Sequence, residues 1–132
     1  MSGLPIVNDF MDKSFATVTP DTSMNEAIKL LVKEQLTGVL VVDEKGKLVG
    51  VLSEKDGLET LLRHGFDRWP DDKVESYMHP VPMTISSRTD VIRAAQIFLD
   101  NTFRRLAVVD DGKLVGQITR RDIIKKMGKY RK

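Results

Sequence analysis

At 132 residues, with 41% hydrophobic and 30% charged residues, the chain has the make-up of one ordinary globular domain or two very small ones. It holds no cysteine, which excludes disulfides, zinc–thiolate centres and thiol nucleophiles. A net charge of +2 is too small to argue for nucleic acid, and apolar runs such as Val39-Leu40-Val41-Val42 fall far short of the roughly 20 residues that span a bilayer.

The opening Met-Ser-Gly-Leu-Pro has no basic stretch followed by an apolar run, so the sequence reads as that of a soluble, cytoplasmic protein without a signal peptide. A short β segment is expected from Ala16 to Thr19. Ser23-Met24-Asn25-Glu26 then has the form of a capping box, and Met24, Ala27, Ile28, Leu31 and Val32 follow at the spacing of one apolar helix face. After Leu36-Thr37-Gly38 come two apolar runs joined by the polar turn Asp43 to Gly46, which together read as a hairpin. A second helix is expected to start near Ser53. Gly65 suits its end and Pro70 prevents its resumption, so residues 65–75 read as a connector in which Trp69 packs against the module or a partner.

The same order then returns. Met78 matches Met11, Thr84-Ile85 matches Thr17-Val18 and Thr89 matches Thr22, each 67 positions on. Val91, Ala94, Ala95, Phe98 and Leu99 repeat the first helix stripe, with Thr89 or Asp90 as its cap. Val108-Val109-Asp110-Asp111-Gly112-Lys113-Leu114-Val115-Gly116 repeats the first hairpin with one residue fewer in the turn. Beyond that deletion Thr119 matches Ser53 and Asp122 matches Asp56, 66 positions on. A chance match would not keep register on both sides of one deletion in a turn. The chain is a duplication of a β-α-β-β-α unit, an α/β (α+β) class. Each half is too small to be comfortably stable alone, so the apolar faces are expected to pack sheet to sheet as one pseudo-twofold module.

Gly50-Val51-Leu52-Ser53-Glu54-Lys55-Asp56 and Gly116-Gln117-Ile118-Thr119-Arg120-Arg121-Asp122 resemble the G-h-x-[ST]-x-x-D motif of cystathionine-β-synthase-type (CBS) domains, with Gln117 departing from the apolar second position. The resemblance divides the chain into repeats at 9–64 and 76–128. It implies a stand-alone CBS pair, a module that commonly dimerises into a disk and holds adenosine ligands (AMP, ADP, ATP or S-adenosylmethionine) in clefts between its repeats.

By the same resemblance, one cleft combines Met11, Ala16, Leu36 and Thr37 with Gln117, Thr119 and Asp122. The other combines Met78, Met83 and Phe103 with Val51, Ser53 and Asp56. Asp56 and Asp122 would accept hydrogen bonds from the ribose diol, to which two carboxylate oxygens are suited. Arg104 and Arg105, where the first repeat has Thr37-Gly38, would meet phosphates through their planar forks, with Lys55, Arg120 and Arg121 adding positive field. A simpler reading stands beside this one. Ser53 and Thr119 with Asp three residues later also make plain helix capping boxes, and each apolar residue in these sets also suits a core.

No catalytic constellation is legible. His64 and His79 lack a nucleophile partner and read as surface loop histidines, and there is no phosphate-loop, dinucleotide-binding or metal-site spacing. The expected function is therefore a non-enzymatic sensor of an adenosine-containing ligand, acting in trans on a partner. The expected assembly is a homodimer built on Leu58, Leu61 and Leu62 of one second helix and Ile123, Ile124 and Met127 of the other. A ligand-free interaction module ranks next. Nucleic-acid binding through the basic tail Lys125 to Lys132 ranks last.

Overall fold

The structure, a computed structural model, is described for residues 3–65 and 72–129. Trp69, Pro70 and the end of the basic tail lie outside the described residues. Its elements are β1 (Thr17–Val18), α1 (Met24–Lys33), β2 (Gly38–Val42), β3 (Leu48–Ser53), α2 (Glu54–His64), β4 (Thr84–Ile85), α3 (Val91–Asp100), β5 (Arg105–Asp110), β6 (Lys113–Thr119) and α4 (Arg120–Met127). They form two three-stranded sheets, β1-β2-β3 and β4-β5-β6, each with a parallel first pair and an antiparallel second pair. The duplicated β-α-β-β-α order is the one the sequence predicts.

Local chemistry sets the element ends. Ser23 caps α1 by accepting the Glu26 amide at 3.1 Å, and Asp90, rather than Thr89, caps α3 by accepting the Arg93 amide at 2.8 Å. Gly65 ends α2 with φ of 86°, a left-handed-side conformation that glycine reaches without strain. The second hairpin closes through Asp111 and Gly112 alone, at φ of 52° and 81°, the backbone a two-residue turn of matching twist requires.

Packing divides the chain differently from the repeats in sequence. One compact unit is Met1–Phe15 with Pro82–Lys132, and the other is Ala16–Val81. The segment preceding each repeat thus folds with the other repeat. In the first unit Val7 and Asn8 donate to the carbonyls of Thr89 and Ser87 at 2.7 and 2.9 Å, and Val91 donates to Pro5 at 2.9 Å. In the second, Val74 and Glu75 donate to Thr22 and Pro20, and Met24 donates to Asp72, at 2.9, 3.1 and 2.7 Å. Each unit has its own core. Val7, Phe10, Ile85, Val91, Phe98, Leu106 and Ile118 build one, and Val18, Met24, Leu31, Val39, Leu52, Val74 and Tyr77 the other.

The expected helix stripes are only partly inward. Met24, Ala27 and Leu31, like Val91, Ala94 and Phe98, are buried, but Val32 is 73% and Leu99 80% exposed. These flanks line two apolar grooves. Ile28, Leu31 and Val32 face Leu58 and Leu61 around 210 Å³, and Ala95, Phe98 and Leu99 face Ile123 and Ile124 around 200 Å³.

Candidate functional site

In each unit the motif glycine lies under a methionine from the borrowed segment. A Cβ on Gly116 would stand 2.6 Å from the Met11 sulfur, and one on Gly50 would stand 3.0 Å from that of Met78. Alongside, two backbone hydrogen bonds join Asp12 to Gln117 (2.8 and 3.1 Å) and two join His79 to Val51 (both 2.9 Å). The glycine is required by this close approach, and Met11, only 7% exposed, is a core residue as well as a site candidate.

Past the glycine, β3 and β6 run directly into α2 and α4, and the turn of each helix entrance fixes the Ser/Thr–Asp pair. In the first unit the Thr119 hydroxyl accepts the Asp122 amide at 3.1 Å, while Asp122 Oδ2 accepts the Thr119 amide at 2.9 Å. Asp122 is half-buried, and Oδ1 accepts no hydrogen bond among the described residues. Asp122 opens onto a 480 Å³ cleft that it shares with Asn8, Asp9, Phe10, Met11, Asp12, Lys13 and Lys126. Three carboxylates and two ammonium groups make this cleft polar. Lys126 is held there by donating to the Asp9 carbonyl at 3.3 Å.

The corresponding pair in the second unit is tighter. Asp56 Oδ2 accepts both the amide and the hydroxyl of Ser53, at 2.8 and 2.9 Å, and Oδ1 is bonded to His79 Nε2 at 2.7 Å. Asp56 is 3% exposed. His79, expected to be a plain surface loop histidine, is exposed but tied to this buried carboxylate. His64 lies in the last turn of α2, where it meets Asp72 at 2.6 Å.

The remaining candidates take these places. In the first unit Gln117, Met83 and Phe103 are half-buried, the last two against the core, and Arg104 is exposed. Arg105 pairs in register with Thr119, which sets it on the same sheet face as the capping residue of α4. Burial, and then the charge of Arg104, pulls the Arg105 guanidinium below its ordinary proton affinity, though an arginine stays charged near neutrality. Arg120 turns away from the expected positive field and donates to the carbonyls of Phe98 and Asn101, at 3.3 and 3.4 Å, at the end of α3. In the second unit Ala16, Leu36, Val51 and Met78 are half-buried. Thr37 is exposed and its carbonyl accepts the Glu54 amide at 3.0 Å. Gly38 stands opposite Ser53, where the other unit has Arg105 opposite Thr119.

Asn8, Asp9, Asp12 and Lys13 around the cleft, and the His79–Asp56 bond, are not legible as site features in the sequence, and Lys126 reads there only as part of the basic tail. The one available signal is that His79 aligns with Asp12, next to the matched methionines. Among the described residues no cluster of three metal-ligating side chains occurs, and no helix is long and apolar enough to cross a membrane.

Two copies of one β-α-β-β-α unit, each ending in a helix whose Ser/Thr cap and Asp interlock, define a tandem-repeat α/β module. The chain belongs to the CBS domain family, whose model matches residues 7–63 and 74–129. It is similar to CBS domain-containing protein CBSX1, chloroplastic, of Arabidopsis thaliana, at 34% identity over 152 residues, covering 94% of this chain and 64% of that protein. The chain thus spans just under two thirds of CBSX1, and 62% of the related CBSX2. Among solved structures, that of CBSX2 in complex with AMP superposes with a TM-score of 0.82 at 34% identity, covering 97% of this chain and 99% of that one. The CBS domain pair of MJ0100, in complex with 5′-methylthioadenosine and S-adenosyl-L-methionine, does so with a TM-score of 0.76 at 27% identity, covering 97% and 99%.

Proposed function

We propose that the chain is a non-catalytic regulatory module that binds an adenosine-containing ligand and acts in trans on a partner protein. The observation that carries this reading is the Asp122 carboxylate. One oxygen serves the helix cap while the other accepts nothing among the described residues, at the edge of a polar cleft. A capping role alone uses one oxygen. A ribose diol supplies the hydroxyl donor that the second oxygen can accept. The AMP and S-adenosylmethionine complexes of CBSX2 and the MJ0100 pair support the same ligand class.

Thr119 would orient the sugar, and Arg105, with exposed Arg104, would meet the phosphates of a nucleotide. The cytoplasm remains the proposed compartment, and a homodimer the proposed assembly, through the two apolar grooves and the exposed Leu58, Leu62 and Ile124 beside them. A thermal-shift panel of AMP, ADP, ATP, S-adenosylmethionine and NAD tests the function. A ligand specific to the folded state, at a hundred times its dissociation constant, stabilises by about 2.7 kcal/mol. No response to any adenosine compound would instead favour an interaction module that works without a ligand.

A further inference from the structure

Asp56 and Asp122 hold the same motif position, yet their free valences differ. Both oxygens of Asp56 are engaged within its own unit, Oδ2 by Ser53 and Oδ1 by His79 Nε2 at 2.7 Å. A carboxylate oxygen accepts, so Nε2 carries the proton and donates it, as a ribose hydroxyl would. The imidazole is 64% exposed, so its placement is set from the main chain. Its backbone is fastened to Val51 by two hydrogen bonds of 2.9 Å, three residues before the turn that carries Asp56 begins its helix.

The other unit serves as an internal control. Asp12 occupies the position of His79, with the matching pair of backbone bonds to Gln117. A carboxylate has no proton to offer another carboxylate. Asp12 Oδ1 accepts the Ser14 amide at 2.9 Å instead, and Asp122 Oδ1 is left without a partner among the described residues. One scaffold therefore presents one filled and one open acceptor, and the residue that separates them is His79.

We propose that His79 is a built-in occupant of the Asp56 carboxylate, so that the chain takes one adenosine ligand, at Asp122, and excludes a second at Asp56. The proposal rests on the reading that Asp at this motif position receives the ribose. A group tethered within reach acts at an effective concentration of millimolar or more, which a free ligand at micromolar levels does not displace unless it gains contacts elsewhere. His79 thereby fixes the stoichiometry of the sensor.

Calorimetric titration with AMP, counted per chain, tests this. Wild type is expected to bind one AMP, and Asp122→Asn to bind it roughly ten- to a hundredfold more weakly. His79→Ala and His79→Ser, checked for folding by thermal melting, are expected to bind two. Two AMP per wild-type chain overturns the proposal, and so does a folded His79→Ala that still binds one. If both His79 variants fail to fold, the wild-type count and the Asp122→Asn affinity decide, because one site that Asp122→Asn weakens supports the lock and any second site sinks it. Failure of the functional reading looks different. No AMP bound by wild type, with one gained in His79→Ala, removes the Asp122 assignment and leaves the lock standing, whereas none bound by any form removes both.

Discussion

Met11 seals Gly116: a Cβ at that glycine would lie 2.6 Å from the methionine sulfur and 3.2 Å from the Asp12 carbonyl oxygen. The glycine of the repeated motif is therefore a docking point for a segment more than a hundred residues earlier in the chain. Met11 is buried and the Asp12 backbone is bonded to Gln117, so neither neighbour gives way cheaply. Gly116→Ala is expected to destabilise by about 1–3 kcal/mol through overpacking. Gly50→Ala, whose tightest contact is 3.0 Å, should cost less. Urea denaturation of the two variants checks the order. A Gly116→Ala protein as stable as wild type would show that the contact yields.

The dimer prediction concerns the grooves beside α2 and α4. Leu58 and Ile124 occupy equivalent positions and are 56% and 75% exposed. Burying a new carboxylate in a dry interface costs several kcal/mol, so Leu58→Glu or Ile124→Glu should weaken self-association about a hundredfold or more. Light scattering at tens of micromolar, a range where the wild type is expected to be dimeric, reads this directly. A monomeric wild type would remove the proposal.

How far the sequence reaches is clear from the contrast between these contacts and the caps. Ser23, Ser53 and Thr119 were legible as caps because capping is decided within four residues. The same holds for Gly65 and the Asp111-Gly112 turn. The borrowed segments were legible only through the family resemblance, which set Met11 with Gln117 and Met78 with Val51, since the backbone hydrogen bonds that join them to the other repeat can accompany any side chains. Val32 and Leu99 fit the helix period equally well as core or as groove wall. Asp56 and Asp122 read identically in their motif. Only the fold reveals that a histidine 23 residues on from one of them closes its second oxygen.

Acid should weaken the fold through carboxylates that the structure engages. The His64 side chain, then the Tyr77 hydroxyl, hold the Asp72 carboxyl below its ordinary value of 3.8. The Ser87 hydroxyl and amide do the same for Asp110. A carboxyl whose folded value is depressed stabilises the fold above its unfolded value, and that contribution fades as pH falls through the folded value. Urea midpoints should therefore not change on account of these groups between neutrality and about pH 5, then drop below about pH 4. Asp72→Asn should shallow the acid limb. An acid limb unchanged in both Asp72→Asn and Asp110→Asn would assign the loss to other groups.

The sharpest test of the ribose assignment is Asp122→Asn. The amide oxygen of asparagine can still accept the Thr119 amide that Asp122 Oδ2 now accepts at 2.9 Å, so the cap survives in large part. The expected structural cost is at most about 1 kcal/mol, from the weakened cap and the lost favourable charge at the start of α4. The ligand cost should be larger. One ribose hydroxyl loses a charged acceptor and meets an amide donor, worth about 1.5–3 kcal/mol, or roughly ten- to a hundredfold in affinity. Melting without ligand should thus be nearly normal while ligand-induced stabilisation collapses. The 2′-deoxy form of the ligand makes the complementary cut. Wild type should bind it more weakly than the ribose form, and Asp122→Asn should discriminate less, because the contact that tells them apart is already missing. If Asp122→Asn binds the responding nucleotide as tightly as wild type and keeps full discrimination, Asp122 is a helix cap and nothing more.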